Sequence, residues 1–579
     1  TRGGIMALTI NGTSSAVALK TDTSNIGLGA NAVDSITTGD NNVGIGDNSL
    51  TANTEGVNST AVGVNALMSN TTGNRNNALG YAALQNNTTG SHNVAIGKDA
   101  MMTNTTASEN VAIGQRAMYV NTTGANNVSV GSSSMLDNTT GSANTAVGKH
   151  ALYNNTTANH NTALGYITLQ ANTTGTQNTA LGSEALENST TADNNVAVGY
   201  NAMKLNTTGT NNTALGTNAL DSNTTGSGHT ALGKQAGHNI TTASNNTTVG
   251  YLSSAETNTG YSNVSVGAFA LRENTTGKEN VVMGTYAMDA NTTASNNVAV
   301  GYASLGANTT GASNVAVGYE SSLNSTTAEN NTAIGNSAML SNQTANANTA
   351  LGYHALKGLT SGSGGNVALG INSLKNVTTA TYNTCAGHSS GADTVNLTTG
   401  HGNVVLGAFC RTSAATSQYA FVMGYNLGGE GGYTTFGNAT TDIRAAHGNT
   451  TWSAPSDERL KEEITTSTAG LSFVNDLRPV TYKWKKEKDI PTSLAGYVEG
   501  SEKRYKTDNT EHGFIAQEVK TAIDAHSEIK DGFDMWSQDS EDGRQRVADG
   551  ALIPILVKAV QELSAKNDAL EARITTLEG

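Results

Sequence analysis

Apolar and polar positions recur along most of this chain with a period of 17 residues. A glycine marks each period: Gly29, Gly46, Gly63, Gly80, Gly97 and onward to Gly352 without a slip, 20 glycines in one register. Looser spacing carries the pattern through Gly370, Gly387, Gly407 and Gly424. In the unit from Asn87 to Thr103, turn chemistry (Asn87-Thr88-Thr89-Gly90) leads into a short alternation (Val94-Ala95-Ile96-Gly97) and then a small-large pair (Ala100-Met101). Alternation of period two predicts a strand, and Asn, Thr and Gly predict the turn that follows each pair. Units of this length stack into solenoids. The expected fold is therefore mainly β: a parallel β-solenoid, or β-roll, of 17-residue coils. Stacking sets Val on Val and Asn on Asn, so backbone groups pair between coils and side-chain amides form ladders along the axis. The 24 repeat glycines imply 24 coils, a stack about 110 Å long at ordinary strand spacing.

The alternation also assigns faces. Val94 and Ile96 share one face of their strand and are expected to enter the core with the Ala100-Met101 pair, while Ala95 points the other way. That middle position is nearly always small (Gly44, Ala61, Ala78, Ala112, Ser129, Ala146), so a second chain is expected to pack closely on that face. Three solenoids around one axis are the expectation. Glu187 and Asp221 are read as isolated outward turn residues, solvated by water.

A different pattern closes the chain. Ile553, Val560, Asn567 and Ile574 occupy one heptad position, and Leu556, Leu563, Leu570 and Leu577 the other. Four such heptads predict a coiled coil over 552–578, with the polar Asn567 setting register. Charge changes at the same end: more than half of the chain's 76 charged residues lie in its last 123. A globular part is thus expected after the solenoid. The net charge of −14 is shared by both parts with no basic stripe, which argues against nucleic acid as a partner. No apolar run reaches 18 residues, so no membrane-inserted helix is expected. Cys385 and Cys410 are expected to be free buried thiols, and no metal-ligand spacing or cofactor motif occurs.

In the charged tail, Ser456-Asp457-Glu458-Arg459-Leu460-Lys461 is followed by Ile464, Gly470-Leu471, Leu477-Arg478-Pro479-Val480, Tyr482 and Trp484. Later comes His512-Gly513-Phe514-Ile515-Ala516-Gln517-Glu518-Val519. This ordered set resembles the intramolecular chaperone domain of phage endosialidases, tailspikes and fibres, the peptidase S74 family. The 17-residue units resemble the head repeats of trimeric autotransporter adhesins and the shafts of phage tail fibres. The resemblance implies an α+β chaperone domain that trimerises the preceding β-structured shaft and then cuts itself off at the Ser456–Asp457 junction. It assigns Ser456 as nucleophile and Lys461 as base. The chemistry agrees, because a serine hydroxyl needs a base and a desolvated lysine supplies one. Arg459 is read either as support for a developing oxyanion or as a salt-bridged surface residue. His512 and Glu518 are read as structural residues of the chaperone.

The expected organisation is an N-terminal segment 1–24, a shaft 25–424, a neck 425–456 and a chaperone domain 457–579. The expected role is a virion tail fibre, made in the host cytoplasm and extracellular when mature. Its expected partners are two further copies of itself, a host-surface receptor or glycan, and a tail, baseplate or other fibre protein at the N-terminus. A bacterial trimeric adhesin would call for a signal peptide, and Thr1 to Gly12 shows no such pattern. A glycan-degrading tailspike would share the chaperone but need a separate catalytic domain.

Overall fold

A computed structural model of the chain describes residues 17–20, 24–392, 394–439, 441–449, 451–494, 496–540 and 543–579, with side chains from residue 24 onward. Most of the expected N-terminal segment 1–24 lies outside the described residues. The chain divides into two compact units, Thr1–Pro455 and Ser456–Gly579.

The first unit is the solenoid. Strand Val17–Lys20 pairs antiparallel with Asn25–Leu28, and 24 strands from there to Phe421–Tyr425 stack in parallel, one per coil. Register follows the 17-residue offset: Val94 faces Val111, Ala95 faces Ala112 and Ile96 faces Ile113. The looser late repeats keep the same register, since Thr349 pairs with Val367 and Thr384 with Val404, and the extra residues are absorbed in the turns. Strand Tyr433–Asn438 adds in parallel to Phe421–Tyr425, and the antiparallel strand Thr441–Ala446 follows it. The last parallel edge is thereby covered, which protects it from stray pairing.

The repeat glycines are required by contact as well as conformation. Gly97 has φ +129, and a Cβ placed on it would lie 2.6 Å from the carbonyl oxygen of Gly114 in the next coil. The same approach recurs from coil to coil, so any side chain would force coils apart. Residues that are not glycine also turn left-handed in each coil: His92, Asp99 and Met101 have φ of 61, 58 and 49. Each such residue costs about 1–2 kcal/mol. Burial of the Met101 side chain, which is fully enclosed, offsets this by about 1.5–3 kcal/mol.

The face assignment made from the alternation is reversed in the structure. Ala95, Ala112 and Ala146 are fully buried inside their own coils, beside Ala100-Met101 and Ala151-Leu152, while Ile96 and Leu164 stand outside. The reason is cross-section. The interior of a 17-residue coil is already filled by one Leu or Met in most turns, so only a small residue fits opposite it. The close neighbour of the small middle residues is therefore the coil itself.

Asparagine completes the interior. In one column Asn93 donates from Nδ2 to the Ala107 carbonyl at 2.9 Å, and its Oδ1 accepts from the Asn110 backbone N–H at 3.0 Å. In a second column Asn104 donates from Nδ2 to Asn87 Oδ1 at 2.8 Å and to the Ala107 carbonyl at 3.1 Å. Where the first column carries His229, the imidazole takes over both roles. Its Nε2 lies 2.8 Å from the Ala243 carbonyl, and its Nδ1 accepts from the Asn246 N–H at 3.2 Å. Burial holds this histidine below its ordinary pKa, which keeps Nδ1 free to accept. Cys385 and Cys410 are free and buried, and burial pushes the Cys385 thiol far up.

Glu187 and Asp221 are not isolated. Stacking brings Lys204 within 3.4 Å of Glu187 and 2.6 Å of Glu184, and sets His238 3.7 Å from Asp221. Residues 17 apart are neighbours across coils, a proximity that local turn reading does not register.

The second unit is small and mixed. It runs through helix α1 (Leu471–Asp476), an antiparallel pair Val480–Tyr482 and Glu511–Gly513, helix α2 (Ala516–Ala525), a second pair Trp536–Gln538 and Gln545–Val547, and helix α3 (Ile553–Glu578). Its core gathers Ala469, Phe473, Val519, Ile523, Met535 and Ile555. Only the first turns of α3 are buried, at Ile555 and Ala559, and Ile555 joins that core.

Candidate functional site

The second unit opens with the segment that carries the candidate chemistry. Asp457 caps a single 3-10 turn, Glu458–Leu460: its Oδ1 accepts from the Arg459 backbone N–H at 2.9 Å. The Arg459 guanidinium grips the same carboxylate, with Nε donating to Oδ1 at 2.9 Å, and holds it below the usual carboxylate range. Arg459 is thus an ion-pair partner of its neighbour. Because the turn reverses the chain, Lys461 comes back onto Ser456, and its Nζ donates to the Ser456 Oγ at 2.7 Å. A hydroxyl and an amine five residues apart are in direct contact at the first residue of the unit.

Among the described residues of the unit, nothing covers this pair. Ser456 and Lys461 are exposed, and so are two apolar neighbours, Leu460 at 73% and Ile464 at 62%. A lysine becomes a base when neighbours desolvate it or add positive charge.

The other residues singled out from sequence are spread over the unit. Glu518, in α2, forms an ion pair with Arg478, accepting from its Nε at 3.0 Å, and this pairing holds the Glu518 carboxyl low. It ties α2 to the loop after α1. His512 lies opposite Thr481 in the first strand pair and is exposed. Asn567 is exposed on α3 and donates to Glu571 Oε1 at 3.0 Å.

The buried histidine is a different one, His526. Its Nε2 is 2.8 Å from Asp476 Oδ2 and its Nδ1 3.1 Å from Glu528 Oε1, while its ring meets the Phe473 ring edge-on with centroids 5.4 Å apart. The two carboxylates, Asp476 first, raise its pKa above the ordinary value. Sequence offered a weak signal for it, a histidine closing an amphipathic helix, and no signal for its partner Asp476. Glu562 was missed as well. From α3 it accepts the backbone N–H of Leu471 at 2.9 Å, capping α1, and a Cβ on Gly470 would lie 2.7 Å from its Oε2.

The heptad positions of α3 form a bare apolar surface. Ile553, Leu556, Val560, Leu563, Leu570, Ile574 and Leu577 are exposed by 40% or more. Such a seam on a single helix has buried nothing and calls for other helices.

Comparison with known families supports the reading of this unit. Residues 456–527 match the peptidase S74 family, described as chaperone of endosialidase. The match begins at Ser456 and stops before α3, so it is shorter than the resemblance over 457–579 read from the motifs. No curated protein and no solved structure matches the chain. With its stack of 17-residue coils and this domain, the chain fits a tail fibre or tailspike carrying a chaperone domain.

Proposed function

We propose that this chain is the subunit of a homotrimeric phage tail fibre whose C-terminal domain aligns three chains and then releases itself by cutting the Ser456–Asp457 bond. The observation that carries the reading is the Lys461 Nζ to Ser456 Oγ contact of 2.7 Å at the start of the matched domain.

The order of events follows from exposure. The seam of α3 and the apolar residues beside the dyad, Leu460 and Ile464, are bare in one chain, so both become buried when chains associate. Burial around Lys461 lowers the cost of its neutral form. Cleavage is then coupled to assembly. The free amine takes the Ser456 hydroxyl proton as the oxygen adds to the carbonyl carbon of the Ser456–Asp457 bond in a neighbouring chain, its own carbonyl being reachable only through a four-membered ring. The proton passes to the Asp457 nitrogen as the C–N bond breaks, and water hydrolyses the ester left behind. Registration matters first, because a repetitive stack gives little penalty for a slip of one whole coil. Three tails joined at one end set that register. Loss of the tail then makes refolding improbable and leaves a kinetically trapped fibre.

The role places the mature protein on the virion, with a host-surface receptor or glycan as target and a tail, baseplate or fibre partner at the N-terminus. Mass spectrometry of the purified product tests the cleavage. The parent should lose residues 457–579, whereas Ser456→Ala and Lys461→Ala should each retain the full 59.2 kDa chain and still sediment as trimers. An uncut parent trimer would leave only the chaperone role, and a cut Ser456→Ala chain would assign the work to an outside protease.

A further inference from the structure

The outward face of the stacked strands has an unusual composition. In each of the 24 parallel strands from Asn25–Leu28 to Phe421–Tyr425, two residues flank the buried middle one and point out of the coil. The leading one is mostly Val or Thr, the trailing one mostly Leu, Ile or Val, and neither carries a charge in any of these strands. Charge first returns just past the glycine, at Asp47, Lys98, Lys149 and Lys234. The trailing column is bare at most of its Leu and Ile residues, as Leu79 (49%), Leu164 (44%), Leu215 (45%) and Leu351 (48%) show, and half-buried at its Val residues.

We infer that this face is where copies of the chain pack on each other, parallel and in register, along the whole solenoid. The inference rests on the trimeric reading above and adds which surface does the joining. Area supports it. Thirteen of the 24 trailing residues are exposed large apolar side chains, a run that exceeds the patch of a few hundred Å² a soluble monomer leaves open. Periodicity selects the occupant. A flat apolar strip that repeats once per coil over the full stack is matched everywhere only by a partner with the same rise per repeat, and another copy of this chain has that rise by construction. Uncharged β-branched and Leu side chains on a regular sheet interdigitate with their own kind, as in dry packed sheets. At its C-terminal end the strip turns aromatic: Phe421 and Phe436 have ring centroids 6.1 Å apart, and Phe436 and Trp452 5.4 Å apart. These rings lie on the same sheet face, which fits a terminal plug between chains.

The full chain tests this through single cysteines and a short bis-maleimide cross-linker, with Cys385 and Cys410 buried and so protected. Leu181→Cys, on the bare column, should join most subunits covalently. Thr174→Cys, exposed on the Asn-Thr-Thr turn, should give only background. As a second measurement, Leu181→Glu with Leu215→Glu should cut the yield of assembled shaft at least tenfold, while Thr174→Glu with Thr208→Glu should leave it unchanged. Efficient cross-linking through Thr174 but not Leu181 in intact trimers would overturn the face assignment and leave the trimer standing. A parent chain that sediments as a monomer would instead remove the trimeric reading itself.

Discussion

In the solenoid, buried asparagines such as Asn93 and Asn104 recur coil after coil and pass hydrogen bonds along the axis, whereas the core of the C-terminal unit is apolar apart from His526. The solenoid spends few large apolar residues inside, one Leu or Met in most coils, and specifies its interior with polar columns. The second unit has an ordinary small core and a helix, α3, that runs beyond it. The difference teaches that the two units are stabilised at different levels. Coils hold each other within one chain, while much of the apolar surface of α3 is left bare within its own chain.

The largest effect should come from breaking the inter-chain level. Leu563→Asp with Leu570→Asp puts charge into the bare seam of α3, and soluble trimers should be lost entirely, with the shaft recovered as insoluble material. Sedimentation and solubility assays check this, and normal trimers would show that α3 does not nucleate assembly.

Within the solenoid, Gly97→Ala should be the most damaging single change. It sets a Cβ 2.6 Å from the Gly114 carbonyl oxygen at φ +129, a combination of clash and strain worth about 3 kcal/mol or more. Hydrogen exchange should show faster opening confined to neighbouring coils, since each coil contacts only its neighbours. A uniform change along the stack would contradict that picture.

Asn104→Ala should cost somewhat less. It leaves Asn87 Oδ1 without its donor, while the Ala107 carbonyl keeps the Asn93 amide, a loss of about 1–3 kcal/mol for the buried group left unpaired. The thermal transition of the parent and variant shafts gives the comparison.

The two buried histidines should respond to pH with opposite signs. His229 in the solenoid has a lowered pKa from burial; its contribution is present above the unfolded value near 6.5 and is lost as pH falls through its folded value. His526 has a raised pKa from Asp476 and Glu528; its contribution is full below about 6.5 and is lost as pH rises through its folded value. Exchange protection near Asn212–Asn246 should therefore fall on acidification, and protection of α1 and α2 should fall on raising the pH. His229→Asn and His526→Gln should flatten the respective profiles. Equal responses in both regions would undo the assignment of the two environments.

Much of the fold was legible because it is written in spacing. Twenty glycines in one register demanded stacked coils, and the heptads named α3 and its bare seam. The candidate site was legible in part: Ser456 and Lys461 came from their motif, and their 2.7 Å contact depends on a one-turn reversal capped by Asp457 that five residues of sequence leave open. His526 and Glu562 were not legible, since their partners Asp476 and Leu471 lie 50 and 91 residues away. The pairing of Glu187 and Asp221 with the next coil escaped local reading for the same reason.

By itself the sequence determined the coil length, the stacking register, the glycine column and the division into a sparsely charged shaft and a charged tail, because each is a property of order along the chain. Only the tertiary structure decided which side of each strand is inside. A period of two separates two faces without naming either, and the choice is made by volume: with Met101 or its equivalent already filling the narrow coil, Ala95 fits inside and Ile96 must stand out.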